Sequence, residues 1–398
     1  MFKPSIVPSL MPTLAELRQS FRAKVLSALH VVLEEELQAV LGSERHERTD
    51  RRRGYRHGGE LRRVTTEVGP VAVRVPRARL RQRDGTTTEF QSAVLPRYAR
   101  RTREVDAAIL GSYLAGVNTR RIRLALAPLL GAAHLSKSAV SRVVGRLKAL
   151  FERWDQRDLS QERYAVLYLD GINLRVRLAR RVVVAPVLVA LGVGEDGQKH
   201  LVGMRLAVRE SGRAWRELVA DLHRRGLGAP LLVVSDGHPG LAKATELWPE
   251  AKVGRCTVHK LRNLLDHCPR HAQAELRRDY HRIVYARDGL SAREAYDQFL
   301  SKWTRLCPAV ARSLEEAGTK LLSFYEFPRA MWKSLRSTNP IENLNREFRR
   351  RTKTQASFAT EQAAVTLLFG LVAFGQITLR RIDGYQHLPR VLAEAVAA

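Results

Sequence analysis

Cysteine, acidic residues and long apolar runs are what this sequence has least of, and each shortage removes a class of protein. Only three cysteines occur in 398 residues. Cys256, Cys268 and Cys307 are too few, and odd in number, for a disulfide framework, and they suit a reducing cytoplasm. No stretch of about 18 or more uncharged apolar residues is present, so no transmembrane helix is expected. The segment 1–18 has no apolar core of signal-peptide type. Acids number 40 against 68 lysines and arginines, a formal charge of +28. A surplus of this size repels itself unless a polyanion neutralises it, and nucleic acid is the usual partner. Arginine heavily outnumbers lysine. A GC-rich genome explains that preference but not the net surplus. Arginine's planar fork suits phosphates and guanine edges.

What is present is a chain of ordinary hydrophobic content, 45%, long enough for two to four structural units. Its character changes near residue 155. Leu17, Phe21, Val25 and Leu29 have helical spacing and predict a helix over 14–42. An Arg- and Gly-rich stretch follows, with Arg51, Arg52, Arg53 and Arg56 as candidate phosphate contacts; the alternative for it is a flexible, solvated loop. Val71, Val73 and Val75 alternate with polar or small residues as in a strand, and Arg77, Arg79, Arg81 and Arg83 continue the alternation. Residues 102–152 read as all-helical. Thr119 to Leu130 forms one helix, Gly131 breaks it, and Ser136 caps a second from Lys137. That is a helix-turn-helix pattern. Arg120, Arg121, Ser136, Lys137, Ser138 and Arg142 are its candidate DNA contacts.

From residue 164 the pattern becomes α/β. Tyr164 to Leu169 is a continuous apolar run ending in Asp170, which predicts a buried central strand with a carboxylate at its tip. Strands are expected at Leu174–Leu178 and Val182–Val193, then an amphipathic helix over 211–225 built on Trp215, Leu218, Val219 and Leu222. Leu231 to Val234 is another buried strand, and it leads into Asp236. Far downstream, Asn339 is the expected N-cap and Pro340 the first residue of a helix. Glu342 lies in its first turn, with Arg346, Arg349 and Arg350 behind as phosphate contacts. Taken alone, Glu342 and Arg346 would be a surface pair worth roughly 0.3–0.5 kcal/mol. Three carboxylates from separate segments, however, are a ligand set for hard divalent cations. Two such ions about 4 Å apart activate an attacking oxygen and stabilise a leaving one in phosphodiester chemistry. They also reverse the repulsion that carboxylates would exert on DNA phosphates. A glycosidase use of the carboxylates does not fit a chain this basic.

In order along the chain stand Tyr168-Leu169-Asp170-Gly171-Ile172, Val234-Ser235-Asp236-Gly237-His238, Arg255-Cys256-Thr257-Val258-His259-Lys260-Leu261-Arg262-Asn263 and Thr338-Asn339-Pro340-Ile341-Glu342. Arg53-Gly54-Tyr55-Arg56, Val68-Gly69-Pro70 and Ser323-Phe324-Tyr325-Glu326-Phe327-Pro328 flank them. Any one is weak; in this order they are specific. The chain resembles the Mutator-type family of bacterial insertion-sequence transposases from about residue 30 to 380. The resemblance implies an α/β fold: a ribonuclease-H-like catalytic core with Asp170 on its first strand, Asp236 after its fourth and Glu342 on a late helix. It further implies an all-helical insertion before Glu342, and the sequence patterns of 259–335, with Trp303 and Trp332, agree. The expected organisation is a helical and basic strand region at 1–100 and a helix-turn-helix-like domain at 101–155, both DNA-binding. The core's first part is expected at 156–255, the insertion at 256–335 and the last part of the core at 336–398.

Cys256 and His259 are either structural groups near Asp236 or half of a zinc site completed by Cys268, His267 or His271. His238 either touches substrate or occupies a turn. The expected activity is metal-dependent cleavage at terminal inverted repeats and strand transfer into target DNA. Asp170, Asp236 and Glu342 would be catalytic and would bind two Mg²⁺, or Mn²⁺ as substitute. Two alternatives are an inactive, domesticated DNA-binding regulator and another ribonuclease-H-fold nuclease such as a junction resolvase. Joining two element ends requires at least a dimer. The expected location is the cytoplasm of a bacterium, at the nucleoid, with no membrane partner.

Overall fold

The computed structural model describes residues 14–82, 84–130, 135–238, 240–241, 245–355 and 357–397. The chain divides into two compact units, Met1–Arg146 and Leu147–Ala398. Gly131 and Arg83, singled out above, lie outside the described residues.

In the first unit, helix α1 (Leu14–Leu41) crosses a three-stranded antiparallel sheet, β1 (Gly54–Thr66), β2 (Gly69–Arg81) and β3 (Thr87–Glu89). The valines of β2 point inward as expected. Val71, Val73 and Val75 pack with Val64, Leu95 and Leu33 of α1, while Leu37 and Leu41 reach Ala78 and Phe90. The apolar stripe of α1 is displaced from the one read in the sequence. Leu17 and Phe21 are 41% and 56% exposed, and full burial begins at Leu33. The Arg- and Gly-rich stretch is not a free loop, because from Gly54 onward it is strand. Gly54 pairs with Leu80, and a Cβ there would lie 2.2 Å from the Arg79 carbonyl oxygen. Only glycine allows that backbone approach. Helices α2 (Arg103–Leu114) and α3 (Thr119–Leu130) follow. The Ser136 hydroxyl accepts from the Ala139 N–H at 3.2 Å, as an N-cap does, and opens α4 (Lys137–Asp155).

The second unit is organised on a five-stranded sheet. Its strands are β4 (Tyr164–Leu178), β5 (Arg181–Gly194), β6 (Lys199–Leu206), β7 (Leu232–Ser235) and β8 (Lys252–Arg255). The spatial order is β6-β5-β4-β7-β8. β4, β5 and β6 form an antiparallel meander, while β7 runs parallel to β4 and β8 parallel to β7. Alternation along β4 sends Leu167 and Leu169 to one face. There they pack with Trp215, Leu218 and Leu222 of α5 (Gly212–Arg224). Ser211 caps α5 through the Ala214 N–H. On the other face, Tyr168 donates to the Ser334 carbonyl and Asp170 meets Asn345. Continuous burial on both faces is why these strands read as unbroken apolar runs.

From β8 to residue 338, all regular structure among the described residues is helical. The helices are α6 (Thr257–Asp266), α7 (Gln273–Val284), α8 (Gly289–Leu306), α9 (Pro308–Ala317) and α10 (Trp332–Leu335), with short 3₁₀ turns between. Leu264, Leu276, Tyr280, Phe299, Trp303, Val310 and Leu314 give this region a core of its own. The chain then returns to the sheet through α11 (Asn339–Thr352) and α12 (Glu361–Ala373), which pack on β4, and ends in α13 (Leu388–Ala397).

Two expectations are corrected. β4 does not stop at Asp170. It continues to Leu178, because its antiparallel pairing with β5 runs unbroken to Leu178↔Arg181. Only the parallel pairing with β7 ends beside Asp170, at Leu169↔Ser235. Asn339 is also not the N-cap. Thr338 precedes α11, and its carbonyl accepts from the N–H groups of Ile341 and Glu342 at 3.0 and 2.9 Å. No helix among the described residues is long and apolar enough to cross a membrane.

Candidate active site

Three elements deliver the carboxylates to the place where the parallel pairing of β4 with β7 ends. β4 carries Asp170. β7 ends in the adjacent strand position at Ser235, so Asp236 emerges beside it. α11 lays its first turn over the same place, with Glu342 in that turn and Asn345 one turn on. Asn345, fully buried, donates its Nδ2–H to Asp170 Oδ2 at 2.8 Å, which ties helix to strand.

The turn after Asp236 has a steric cause. Gly237 has φ +84°, and a Cβ there would sit 0.9 Å from Arg255 Nη1. The Arg255 side chain, 8% exposed, fills the space beneath the turn. The His238 N–H donates to Asp236 Oδ1 at 2.9 Å, and the His238 Nδ1 accepts from the Gly240 N–H at 3.1 Å. His238 thus shapes the turn that presents Asp236.

Burial pushes the Asp170 carboxyl up to about 6. The hydrogen bonds from Asn345 and the Gly171 N–H oppose this, and the nearby charges of Asp236 and Glu342 add to it. A carboxylate raised by burial and by two like neighbours is in a site that favours a cation. Asn345 Oδ1, on the amide that holds Asp170, is buried with no partner. These features fit divalent ions such as Mg²⁺ or Mn²⁺.

Glu342 belongs to a second network. Its carboxylate oxygen, the Cys256 sulfur and a ring nitrogen of His259 lie within 4.8 Å of one another. The Thr338 hydroxyl contacts all three: Glu342 Oε1 at 2.6 Å, Cys256 Sγ at 3.2 Å and His259 Nδ1 at 3.3 Å. A hydroxyl has one proton and two lone pairs. Its proton lies between the Glu342 carboxylate, the shorter contact, and Cys256 Sγ, which also accepts from the Thr338 N–H at 3.4 Å, while a lone pair faces His259. Burial pushes the Cys256 thiol up, but hydrogen bonds with His259 and Thr338 outweigh it and the net direction is down. The hydrogen bond with Cys256 raises His259, burial opposes, and the Cys256, Glu342 and Asp236 charges raise it further. With the Thr338 oxygen among them, these three groups make a hydrogen-bonded cluster. Among the described residues, Cys268, His267 and His271 do not join it; the third group within ligand distance of Cys256 and His259 is Glu342. Thr338 and Asn345 were not singled out in the sequence. Their signal was their spacing, four residues before and three after Glu342 on one helical face.

The basic candidates fall into two groups. Several are engaged within the chain: Arg52 donates to the Gly54 and Glu47 carbonyls, Arg56 pairs with Glu34, Arg77 with Glu89 and Arg350 with Glu347. Arg51, Arg53, Arg79, Arg120, Arg121, Ser136, Lys137, Ser138, Arg142, Arg346 and Arg349 are exposed.

Comparison with known proteins agrees with the motif order. The family described as "Transposase, Mutator family" matches residues 12–375. The transposase for insertion sequence element ISRM5 of Rhizobium meliloti is 35% identical over 351 residues, 88% of this chain and 86% of that protein. The transposase for IS1081 of Mycobacterium tuberculosis is 35% identical over 363 residues, 90% of this chain and 86% of the relative. The transposase for IS256 in transposon Tn4001 of Staphylococcus aureus is 30% identical over 344 residues, 85% of each. A match over nearly the whole length, supported by relatives of similar length, places this chain in the Mutator family of transposases.

Proposed function

We propose that this chain is a DDE transposase. It binds the terminal inverted repeats of its element, cuts a strand at each end, and joins the freed 3′ hydroxyl to target DNA. The observation that carries the reading is the gathering of Asp170, Asp236 and Glu342 where the β4–β7 pairing ends in a sheet ordered β6-β5-β4-β7-β8. We read that unit as a ribonuclease-H-like core and the helices of 256–335 as its insertion.

Asp170, Asp236 and Glu342 would hold two Mg²⁺, with Mn²⁺ as substitute. When bound, the ions supply activation of an attacking oxygen and stabilisation of a leaving one. The chain's own contribution is placement. Asn345 fixes the rotamer of Asp170, the Gly237 turn aims Asp236, and Thr338 holds Glu342. Exposed arginines of the first unit and of α11 would neutralise backbone phosphates, while base contacts from the helix-turn-helix-like segment would select the repeats. Two ends need two such sites, hence at least a dimer. The bacterial nucleoid is the corresponding location.

The test uses duplexes that carry the repeats flanking the gene, incubated with protein and Mg²⁺ or Mn²⁺. Nicking at the repeat ends is expected, and Asp170→Asn, Asp236→Asn and Glu342→Gln each abolish it while duplex binding persists. Tight binding with no nicking under either metal, unaffected by the substitutions, would replace this reading with that of a DNA-binding regulator.

A further inference from the structure

Beyond Ile172↔Val187, where β6 also leaves β5 at Leu206, β4 and β5 run on together as a two-stranded ribbon. Pairing continues from Asp170↔Val189 to Leu178↔Arg181, after β7 has already ended at Leu169↔Ser235. The ribbon is anchored on one edge by Phe358, whose carbonyl accepts from the Arg177 N–H and whose N–H donates to the Arg175 carbonyl, both at 2.9 Å. Leu174 and Val176 are buried on one face. The opposite face is open. It carries Arg175 and Arg177, paired across the strands with Val184 and Val182, which are 61% and 48% exposed. Arg180 and Arg181 sit at the tip.

Two features separate this ribbon from an ordinary hairpin. Among the described residues, the side chains of Arg175, Arg177, Arg180 and Arg181 make no ion pair or hydrogen bond, and no acid occurs between Gly171 and Pro186. The tip is also built against backbone preference. The two-residue loop has φ of 44° at Ala179 and 68° at Arg180, the conformation that normally takes Asn-Gly. An arginine there places a cation at the far end of the ribbon.

We propose that this ribbon is a backbone clamp for duplex DNA next to the bond being cut, with the four arginines on phosphates and the two valines allowing close approach. The proposal rests on the transposase reading above. Charge identifies the occupant. A second copy docking symmetrically would set the same four cations against themselves, whereas a phosphate backbone neutralises them. Reach gives the position. Along the ribbon Arg175 lies five positions from Asp170, and Arg181, paired with Leu178, lies eight, about 17–27 Å of strand; at ~3.4 Å per nucleotide of duplex this is about 5–8 base pairs from the active carboxylate.

The experiment compares full-length wild type with Arg175→Gln/Arg177→Gln/Arg180→Gln/Arg181→Gln and with the tip variant Arg180→Gln/Arg181→Gln. It measures duplex affinity by fluorescence anisotropy against salt, hydroxyl-radical protection and thermal melting. The slope of log K against log salt is expected to become shallower by up to ~3.6 for the fourfold variant and ~1.8 for the tip variant. Protection about 5–8 base pairs from the nick should be lost, with melting unchanged. If wild type binds and nicks but the variants keep its slope and protection, the clamp is wrong and the transposase reading stands. The clamp is equally wrong if only the oligomeric state changes, which would make the ribbon a protein interface. If wild type binds no duplex at low salt, the transposase reading fails and takes the clamp with it.

Discussion

Thr338 shows how much one buried hydroxyl can organise. Fully buried, it joins Glu342 to Cys256 and His259, and an isosteric Thr338→Val removes the proton that Glu342 accepts. The three groups it touches are then less well satisfied, a cost of about 1–3 kcal/mol. The expected kinetic result is a nicking rate reduced ~10–100-fold and a higher Mg²⁺ requirement, equivalent to losing one charge-assisted hydrogen bond. Duplex binding should be unchanged, and Thr338→Ser should restore most of the loss. A metal titration that Thr338→Val leaves unmoved would reduce Thr338 to a packing residue. Asp170 offers a second test, in stability. Its carboxyl is raised from an ordinary 3.8 to about 6 in the folded protein, so well below pH 3.8 both folded and unfolded forms are protonated and no penalty exists; the penalty develops between pH 3.8 and about 6. As pH rises through that window the unfolded chain ionises first, and folding loses stability until about pH 6. The ceiling is roughly 3 kcal/mol, reduced by solvent at this partly exposed group. Asp170→Asn should therefore melt higher than wild type at pH 7.5 in EDTA, and the gap should shrink at pH 4.5. Equal melting at both pH values would contradict the raised carboxyl.

At the level of elements, the connection from β7 into the Asp236 turn is set by sterics. Gly237→Ala would place a methyl on the Arg255 guanidinium and force a positive φ on alanine. Displacing a side chain that is 8% exposed and reaches Glu316 from beneath the turn should cost about 2–4 kcal/mol. Nicking should fall even where the protein stays folded, and a melting temperature within 1 °C of wild type, taken as roughly the smallest resolvable shift, would show that Arg255 simply moves aside. This turn was legible in the sequence only as Asp-Gly-His after an apolar run; the reason for the glycine lies 18 residues on, in Arg255. The elements that could be read are those whose pattern is local. The valine alternation of β2, the Trp215–Leu222 stripe of α5 and the Ser136 cap of α4 each follow from neighbours in sequence. The apolar pattern divides β4 into two strands, one ending at Asp170 and one at Leu174–Leu178, and only the partner strand β5 keeps Gly171 to Asn173 extended between them. Leu17 and Phe21 of α1 are exposed for a similar reason: helical spacing marks a stripe, but the sheet's apolar core takes it up only from Leu26 on. Asn345 and Thr338 had to wait for the fold, because their partners are 175 and 82 residues away in sequence.

Across the whole molecule the dominant quantity is the charge of +28. It acts on folding and on binding with opposite sign, and the two can be separated by salt alone. Without DNA, like charges repel within the native state, and the repulsion is screened as the Debye length falls from roughly 14 Å at 50 mM to below 6 Å at 300 mM salt. The DNA-free protein should therefore melt several degrees higher at 300 mM than at 50 mM NaCl. With duplex present, counterions are released on binding, and added salt reverses the gain. The DNA-bound protein should melt highest at low salt and lose that advantage as salt rises, because a ligand that binds only the native state stabilises in proportion to the logarithm of its affinity. The two melting curves should converge near the salt concentration at which anisotropy shows the complex dissociating. A DNA-free protein whose melting temperature falls with added salt would mean that its ion pairs, such as Arg101–Asp106 and Arg225–Asp221, outweigh the net repulsion. The surplus of arginine would then be balanced locally rather than held in reserve for DNA.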